Sequence, residues 1–431
     1  MKVAICTLGC RTNIYESDSI TSKLKSLGFE IVDFNDFADV YIVNTCSVTQ
    51  EADKKSRQMI RRGKHQNPDS YVISLGCFSQ LNYDDAKSIG CDYVCGNRNK
   101  EKCIDYILKF RDGLREEKID ILDLNVASYE NNKYVLPVRD TVKAYIKIGD
   151  GCDNHCAYCI IREARGKVVS RSLEDIYAEG VFLSQHNFKE VILTGIEVAS
   201  YGKDKKGLSL IDAVNEISKV DGIERIRLAS LEPSILKKDF ILSLANNPKF
   251  APSFHLSLQS GSSEILAKMK RKYNSNMVKE SVDLIKQYIP NATFSADIIC
   301  GFPGETDKDF EETVEMAKYI KLYHGHIFPY SDRKGTLSSE MKDKVKSDIK
   351  KERCKYLSQV CEKTREEICL SYVNTNPLKV LFEQRKGGYY IGDSENGLEV
   401  LFESKEDLKG KIVENIPYKY ENGKLYFKSN F

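Results

Sequence analysis

The sequence lacks tryptophan, an excess of charge of one sign, and any long apolar run. The missing tryptophan carries no functional information. The 65 Lys and Arg residues nearly balance the 63 Asp and Glu residues, so the net charge of +2 neither indicates nor excludes a nucleic-acid partner. No stretch of 18 uncharged apolar residues occurs, and residues 1–20 contain no positive segment followed by an apolar run. These absences argue against a membrane span or a secretion signal and predict a cytoplasmic protein.

Cysteine, in contrast, is abundant, with 14 residues in a chain of 431. Outside a secretory context, such thiols are more typical of metal binding or catalysis than of a disulfide framework. The length is sufficient for two or three domains, each with its own core. A multidomain enzyme is therefore the first expectation.

The first part of the chain alternates strand-like apolar runs with amphipathic helical patterns. The runs are KVAICTLG, VYIVNTC, YVISLGC and YVCG, and the patterns between them include ESDSITSKLKSL and QEADKKSRQMIRRGK. This alternation predicts a doubly wound parallel sheet in an N-terminal domain, residues 1–130. The charged segment from Leu114 to about Pro137 lacks sustained periodicity and is interpreted as a linker.

The middle of the chain, from Thr141 to Ser331, contains six longer strand-helix repeats. Its strand-like runs are VKAYIKIG, EVILTG, RIRLAS, FHLSLQ, FSADIICG and GHIFPYS. Six repeats predict a barrel or partial (β/α)6 barrel, within a domain spanning 138–370, and such barrels place their chemistry at the C-terminal ends of the strands. A long charged helix is predicted from Ser338 to about Tyr372.

The C-terminal part, residues 371–431, has a different sequence pattern. Short alternating runs such as LKVLFEQ, YYIGDS, LEVLFES and KLYFKS are broken by Gly and Asn, which predicts a small antiparallel β-barrel of about five strands. Tyr389 and Tyr426 are among several aromatic residues here that could stack on bases, although aromatic side chains of small barrels belong more often to the core.

Two runs of basic residues offer local support for RNA binding. They contribute Lys54, Arg57, Arg61 and Lys64 from the first run, and Lys268, Lys270, Arg271 and Lys272 from the second. The residues of the first run recur at helical intervals of three and four, so one helix face could contact phosphates. Basic helix faces are more often simply solvated, and that reading is preferred for either run taken separately.

The most specific feature is GCDNHCAYCIIREARG, which places Cys152, Cys156 and Cys159 in one polar loop directly after a predicted strand. Structural zinc sites usually take four protein ligands, so three thiols leave such a site incomplete. An iron-sulfur cubane held by three thiolates keeps one iron open for a substrate or cofactor. Three merely structural cysteines are improbable at this spacing in a polar loop. The pattern therefore indicates a cluster.

Three further cysteines each follow a predicted strand of the N-terminal sheet, namely Cys10, Cys46 and Cys77. The ends of parallel strands lie along one edge of a sheet, so the fold would bring these thiols together despite their separation in sequence. This placement predicts a second three-cysteine cluster. The other eight are interpreted as buried or packed thiols: Cys6, Cys91, Cys95, Cys103, Cys300, Cys354, Cys361 and Cys369.

With CxxxCxxC after the first strand of a partial barrel, the chain resembles the radical S-adenosylmethionine superfamily. The resemblance implies that Cys152, Cys156 and Cys159 ligate a [4Fe–4S] cluster whose open iron chelates the amino and carboxylate groups of S-adenosylmethionine. Residues at later strand ends are the candidates for the rest of that cofactor. They are Gly195, Glu232, Gln259, Ser260 and Gly301.

Over essentially its whole length, the chain resembles the methylthiotransferase family within that superfamily. The stretches that carry this resemblance are TLGCRTNIYES, NTCSVT, LGC, GCDNHCAYCIIREARG, SLEPS, LSLQSGS and GFPGE, and the C-terminal part resembles the RNA-binding TRAM domain. TLGC followed by NIYES, together with CII, is most similar to the branch acting on N6-threonylcarbamoyladenosine in tRNA. The chain departs from the family pattern at Arg162 and Glu163, where Pro and an aromatic residue are usual.

The resemblance also implies a mechanism, cofactors and partners. The cluster in the barrel would cleave S-adenosylmethionine to a 5′-deoxyadenosyl radical that takes hydrogen from C2 of the adenine at tRNA position 37. The second cluster, on Cys10, Cys46 and Cys77, would hold or donate the sulfur, and a second S-adenosylmethionine would methylate it, so two cofactor molecules serve each turnover. The expected partners are tRNA and a reduced flavodoxin- or ferredoxin-type electron donor, with the protein acting as a monomer.

Three alternatives remain open from the sequence. The substrate could be isopentenyladenosine in tRNA, or the side chain of a ribosomal protein. The chain could also be a noncatalytic iron-sulfur protein that binds RNA.

Overall fold

The computed structural model describes residues 1–124 and 135–428. Its N-terminal part is a six-stranded, wholly parallel sheet of order β2-β1-β3-β4-β5-β6. The elements are β1 Lys2–Thr7, α1 Arg11–Ser26, β2 Glu30–Val32, β3 Val40–Thr45, α2 Gln50–Gln66, β4 Tyr71–Gly76, α3 Cys77–Leu81, α4 Tyr83–Ser88, β5 Tyr93–Cys95, α5 Cys103–Arg111 and β6 Lys118–Asp120, with a 3₁₀ turn at Lys100–Lys102.

This sheet is covered on both faces, as a doubly wound fold requires. The central strands β3 and β4 are buried along their whole length, which explains their nearly continuous apolar sequence. Residues of α1 and α5 pack on one face, and residues of α2, α3 and α4 pack on the other.

One strand of the sheet lies where the sequence predicted a linker. β6 falls within the segment from Leu114 to Pro137 and pairs in parallel with β5. The linker prediction was therefore wrong for this strand, because three residues are too short for an alternating pattern to stand out. Residues 125–134, which the same prediction included, lie outside the described residues.

The central part is a partial barrel of six parallel strands, confirming the predicted architecture. Its elements are β7 Lys143–Lys147, β8 Gly149–Asp150, α6 Ile161–Arg165, β9 Val169–Ser170, α7 Leu173–Gln185, β10 Glu190–Thr194, α8 Leu210–Ser218, β11 Arg225–Leu228, α9 Lys238–Ala245, β12 Ser253–Gln259, α10 Ser263–Lys268, α11 Ser275–Tyr288, β13 Thr293–Cys300, α12 Asp307–Ile320, β14 Leu322–Pro329 and α13 Ser347–Tyr372, with 3₁₀ turns at Val198–Ser200, Pro233–Ile235 and Leu337–Glu340.

The barrel consists of two three-stranded sheets, β11-β10-β7 and β12-β13-β14. Isolated bridges between Leu231 and Leu256, and between Ile226 and Phe250, join them at the β11–β12 boundary. The strands' apolar residues pack against the surrounding helices in the largest core of the protein. All six strands are parallel, so their C-terminal ends meet at one rim.

The long helix α13 begins at Ser347, nine residues later than predicted from the sequence. The preceding residues instead form the short 3₁₀ turn at Leu337–Glu340 and an irregular connection. Within the described part of the chain, no helix, α13 included, is both long and apolar enough to cross a membrane.

The C-terminal sheet has six strands, of order β18-β15-β16-β17-β20-β19, where the sequence predicted about five. They are β15 Leu378–Lys386, β16 Tyr389–Ser394, β17 Glu399–Phe402, β18 Ile412–Asn415, β19 Pro417–Glu421 and β20 Lys424–Phe427. Every pairing is antiparallel except that between β17 and β20. The small sheet curls around its own apolar core.

This sheet docks on the N-terminal ends of the barrel strands. Arg225 donates to the carbonyl of Asp393 (3.1 Å), and Arg227 donates to the carbonyl of Ser394 (2.7 Å). Both arginines also pair with the buried Glu190. The contact therefore lies at the end of the barrel opposite to the rim where the strands finish.

Candidate active site

The loop that carries Cys152, Cys156 and Cys159 starts at a glycine that no other residue can replace without strain. Gly151 has a φ of +73°, and a Cβ built there would lie 1.9 Å from the carbonyl oxygen of Lys167. The loop is closed by a hydrogen bond from the Cys152 N–H to the carbonyl of Gly166 (3.0 Å). The chain thus turns directly after β8 and returns towards it at β9.

Each of the three sulfur atoms has a polar neighbour. The backbone N–H groups of Asn154 and Ile161 lie 3.4 Å from the sulfurs of Cys152 and Cys159, respectively. Burial raises the pKa of both of these thiols to about 12, and nearby thiols of the loop add to that effect. Without a metal the thiols are neutral, so their deprotonation has to be coupled to metal binding.

The third thiol, Cys156, accepts a hydrogen bond from Arg271 Nη1 (3.0 Å). Arg271 belongs to the basic run that the sequence analysis considered for RNA contact. Its side chain is only 5% exposed, and it also lies 3.9 Å from Glu232. Both interpretations of the run, RNA contact and the preferred solvated face, were therefore wrong for this residue, which is a buried cation beside the cysteine loop.

Two carboxylates complete the charged surroundings of the loop. Glu232, a predicted site residue, accepts from Asn154 Nδ2 (2.7 Å). Burial, and then the nearby charge of Glu232, raise the pKa of Glu197 to about 7. Asn154 Oδ1 is buried and has no hydrogen-bond partner within the described part of the chain. The site thus combines one cation, two acidic groups and an unsatisfied acceptor, which suits a polar ligand.

The other predicted cofactor residues lie at strand ends, in different surroundings. A Cβ on Gly195 would lie 3.1 Å from the carbonyl oxygen of Gly149, so its backbone is close to the start of the cysteine loop. Gln259 ends β12 with a φ of +63°. The Ser260 hydroxyl is buried against Thr313 of α12, 3.2 Å away.

Gly301 is placed differently again. It follows β13 with a φ of +75°, and a Cβ there would lie 2.2 Å from Cγ of Lys350 on α13. Its N–H donates to Glu305 (2.8 Å). Gly301 therefore packs against α13, and the cofactor role remains a prediction for this residue and for Gly195, Gln259 and Ser260.

The fold also brings together the three cysteines at the N-terminal strand ends. Two of them follow glycines with left-handed backbone, Gly9 (φ +95°) before Cys10 and Gly76 (φ +98°) before Cys77. A Cβ on Gly9 would lie 2.9 Å from the sulfur of Cys46. Burial raises the pKa of Cys46 to about 11, and the nearby Cys77 and Cys10 contribute to that rise. Cys10 is exposed and occupies the N-cap position of α1, where the helix dipole favours an anion.

A buried network of charges joins the two cysteine sites. Glu16 of α1 pairs with Lys100 (2.5 Å), Lys147 of β7 (2.7 Å) and Arg165 of α6 (2.9 Å). Asp150 pairs with Lys147 (2.7 Å) and Arg165 (3.1 Å). All five side chains are at most 5% exposed. The network contacts both the N-terminal sheet and the barrel, so it sets their relative placement.

A direct link to the second cysteine site lies beside this network. Asn97 Nδ2 donates to the sulfur of Cys77 (3.3 Å) and to the carbonyl of Ala164 in α6 (2.6 Å). Because α6 directly follows the loop of Cys152, Cys156 and Cys159, one amide connects the surroundings of both sites.

Comparison with known proteins shows which family the chain belongs to. Residues 146–317 match the model of the radical SAM superfamily, and residues 2–96 match that of the uncharacterized protein family UPF0004. The threonylcarbamoyladenosine tRNA methylthiotransferase MtaB of Bacillus subtilis is 35% identical, covering 98% of this chain and 96% of the relative. The chain belongs to the radical S-adenosylmethionine tRNA methylthiotransferase family. The family predicted from the motifs, and the enzyme class with it, are thereby confirmed.

Other relatives belong to two named branches of these methylthiotransferases. The MtaB enzyme of Aquifex aeolicus is 40% identical over 85% of this chain and 89% of its own length. The tRNA-2-methylthio-N(6)-dimethylallyladenosine synthase of Acetivibrio thermocellus is 32% identical over 94% of this chain and 86% of its own. A solved structure, the radical S-adenosylmethionine methyltransferase TsrM of Kitasatospora setae, aligns with a TM-score of 0.54 at 16% identity over 76% of this chain and 74% of that one, which supports the fold alone.

The donor sets of this methylthiotransferase fit iron-sulfur clusters better than structural zinc sites. Cys152, Cys156 and Cys159 form one set of three thiols, and Cys10, Cys46 and Cys77 form the other. A structural zinc ion usually takes four protein ligands, whereas three thiolates can hold a [4Fe–4S] cluster with one iron open. The residues present therefore suit [4Fe–4S] clusters, the metal centres implied by the family.

Sequence reasoning missed Glu197, Arg271 and the buried network of the methylthiotransferase. Glu197 stands two residues after Gly195, at the same strand end, so its position was a signal that could have been used. Arg271 carried no such signal, because its neighbours in sequence are lysines. Arg162 and Glu163, where the chain departs from the family pattern, line a cavity of about 350 Å³. Both belong to α6, which still places Arg165 in the buried network.

Proposed function

We propose that this protein adds a methylthio group at C2 of N6-threonylcarbamoyladenosine 37, beside the anticodon of tRNA, in the cytoplasm. The observation that carries the proposal is the presence of two three-cysteine sites in one chain. One lies at the rim of a radical SAM barrel, the other lies at the edge of a parallel sheet, and one buried charge network connects the sheet with the barrel. Relatives of 35% and 40% identity carry the name of the threonylcarbamoyladenosine branch, which favours that substrate.

Two [4Fe–4S] clusters and S-adenosylmethionine are the proposed cofactors. Cys152, Cys156 and Cys159 would hold one cluster, and Cys10, Cys46 and Cys77 would hold the other. When bound, the first cluster and S-adenosylmethionine supply a radical able to take hydrogen from an unactivated C–H bond, and the second cluster supplies a site for sulfur. Two S-adenosylmethionine molecules are consumed per product in this proposal.

The protein's own side chains bind and orient S-adenosylmethionine. Arg271 offers a cation for its carboxylate, and Glu232 offers an anion for its ammonium group. Glu197 lies beside them, so its carboxyl can accept or donate a hydrogen bond near neutral pH. Gly195, Gln259, Ser260 and Gly301 are proposed to surround the remainder of the cofactor.

The second cysteine set is held firmly enough to position a sulfur donor. Cys46 and Cys77 are almost fully buried, while Cys10 is exposed. The substrate can therefore approach from the side of Cys10, and the buried network holds the N-terminal sheet against the barrel that carries the other site. This arrangement suits a reaction in which a short-lived radical must meet its partner before solvent does.

The partners and domain limits belong to the same proposal. tRNA is the substrate, and the domains span 1–130, 138–370 and 371–431. On the C-terminal sheet, Lys419 lies over the ring of the buried Tyr426 (4.4 Å), and Tyr426 packs against Tyr389 (5.8 Å). Lys419 and the half-buried Tyr389 are the members of this cluster that RNA could contact. The electron donor is proposed to be a flavodoxin or ferredoxin type of protein, and the enzyme to be a monomer.

The test is anaerobic incubation of the reconstituted protein with dithionite, S-adenosylmethionine and tRNA, followed by mass spectrometry of the nucleosides. tRNA bearing N6-threonylcarbamoyladenosine should gain a methylthio group, whereas tRNA bearing dimethylallyladenosine should not. The reverse preference would assign the chain to the second named branch of relatives. In a parallel incubation with ribosomes, a methylthio group on a ribosomal protein, together with none on tRNA, would refute the tRNA assignment.

A further inference from the structure

A third group of potential metal ligands lies in the barrel, apart from both cysteine sites. It consists of His255 on β12, Asp297 on β13 and His326 on β14, three adjacent strands. His255 Nε2 and His326 Nδ1 each lie 3.3 Å from the same oxygen, Asp297 Oδ1. Neither the proposed radical chemistry nor the proposed sulfur donor uses these three side chains.

The three ligand atoms already have nearly the spacing that a metal ion requires. The two nitrogen–oxygen distances are both 3.3 Å, and one ligand atom from each residue lies within 4.8 Å of the other two. Two ligand atoms on one tetrahedral zinc ion would lie roughly 3.4 Å apart. Zinc bonds to imidazole nitrogen and carboxylate oxygen measure about 2.0–2.2 Å, so only a small adjustment is needed.

The imidazole of His255 is held in a suitable orientation. Its Nδ1 lies 2.8 Å from the Ser295 hydroxyl, so Nε2 is the nitrogen that faces Asp297. A hydrogen bond of this kind on the second ring nitrogen is the usual support of a metal-binding histidine. His255 and Ser295 are opposite each other in the β12–β13 register, which fixes this pair in the sheet.

The strand pattern places the group on the inner face of the barrel. On β12, Phe254 and Leu256 belong to the core packed against the helices, so His255 projects from the opposite face. The side chains are 17%, 29% and 45% exposed for His255, Asp297 and His326, respectively. A bound ion would therefore keep coordination positions open towards the interior of the barrel.

Charge balance also favours a cation at this position. The only ion pairs of Asp297 among the described residues are those with the two histidines, which are neutral unless protonated. An ionised, partly buried carboxylate between two imidazoles lacks a permanent positive partner, and a divalent ion would provide one.

We propose that His255, Asp297 and His326 bind a divalent first-row transition-metal ion, for which Zn²⁺ is the probe. The His₂Asp set supplies three protein ligands and leaves at least one position open to water or to a substrate group. This ion is separate from the iron of the two clusters, and its binding does not depend on the identity of the tRNA substrate.

The test uses the full-length protein with both clusters reconstituted and iron content measured in every variant. Zn²⁺ is added with a competing chelator, and the zinc retained per chain is measured by elemental analysis. Wild type should retain zinc, while His326→Gln and Asp297→Asn should lose it with unchanged iron. Ser295→Ala should weaken zinc affinity by about 10- to 100-fold, the usual effect of removing such a support.

His324→Gln is the matched control, because His324 lies on the same strand with its ring 4.9 Å from that of His326 but does not belong to the ligand set. It should retain zinc like wild type. X-ray absorption at the zinc edge should show nitrogen and oxygen neighbours with imidazole scattering and no sulfur.

Either of two results would overturn the proposal. One is equal zinc retention in wild type and in His326→Gln. This variant changes a half-exposed position, and its iron content shows whether it is folded. The other is a sulfur shell at about 2.3 Å around the zinc of wild type, which would place that ion on the cysteines.

Discussion

Replacing Glu16 by Gln tests whether the buried network holds the N-terminal sheet against the barrel. The change keeps the shape of the side chain but leaves Lys147 and Arg165 with Asp150 as their remaining acidic partner, and leaves Lys100 without an ion pair among the described residues. Since Glu16 is only 2% exposed, solvent cannot compensate for the lost charge. Breaking a buried ion pair by removing one partner costs about 3–5 kcal/mol.

That free energy corresponds to a large thermal shift. At about 2–4 °C per kcal/mol for a domain of 150–250 residues, Glu16→Gln should lower the melting temperature by roughly 6–20 °C. The assay is calorimetry of the reconstituted protein at one fixed scan rate, because unfolding of a multidomain protein is often irreversible. A decrease of less than about 2 °C would refute the structural role assigned to the network.

The pH dependence provides a second check on the same variant. Although burial alone would raise it, the charges of Arg165, Lys100 and Lys147 hold the pKa of Glu16 well below its ordinary value. A lowered pKa contributes stability above the unfolded-state value of about 4.3, and that contribution is lost as the pH falls further. The difference from wild type should therefore stay constant from pH 8 to about pH 5, and a difference that shrinks between pH 8 and pH 6 would contradict the assignment.

The control for this variant is an exposed carboxylate on a neighbouring helix. Glu51 is 80% exposed and lies 4.0 Å from Lys54. Because surface pairs contribute little, Glu51→Gln should change stability by less than about 0.5 kcal/mol.

Three further predictions concern the cysteine sites. Gly151→Ala should lose the iron of one cluster, because its Cβ would overlap the backbone of Lys167. The control is Gly387→Ala, which is also at positive φ but in open space and should keep its iron. Equal iron content in both variants would contradict this prediction. Arg271→Gln should lower the reduction potential of the barrel cluster by up to about 100 mV, because it removes a hydrogen bond from a charged group to Cys156. The potential is measured by a redox titration followed by electron paramagnetic resonance, and Lys272→Gln, at an exposed position, is the control. Cys77→Ala should still form 5′-deoxyadenosine but no methylthio product, as measured by mass spectrometry. Equal loss of both products in a variant that keeps its barrel cluster would refute the assignment of radical formation and sulfur supply to different cysteine sites.

The architecture was largely readable from the sequence, because it depends on local periodicity. Buried parallel strands such as β3 and β4 have nearly continuous apolar runs, and the helices between them have amphipathic patterns. The predicted strands were found in the N-terminal sheet and the barrel, while β2 and β6 were missed and α13 was predicted to start nine residues early. Short strands and helix starts carry the weakest periodic signal.

The cysteine sites divide in the same way. The loop of Cys152, Cys156 and Cys159 was recognisable because its ligands are close in sequence. Grouping Cys10 with Cys46 and Cys77 needed one topological rule, that parallel strands finish at a common edge, and the structure does bring these three thiols together.

The sequence by itself thus determined the class of fold, the cysteine-rich loop and the family of this protein, because each is encoded in spacing along the chain. Only the tertiary structure decided that Arg271 lies at Cys156, 115 residues away, and that Glu16 meets Arg165 across 149 residues. It also decided that the C-terminal sheet docks at the end of the barrel opposite to the rim. These contacts depend on how whole elements pack, and a buried arginine in a run of lysines has the same local pattern as a solvated one.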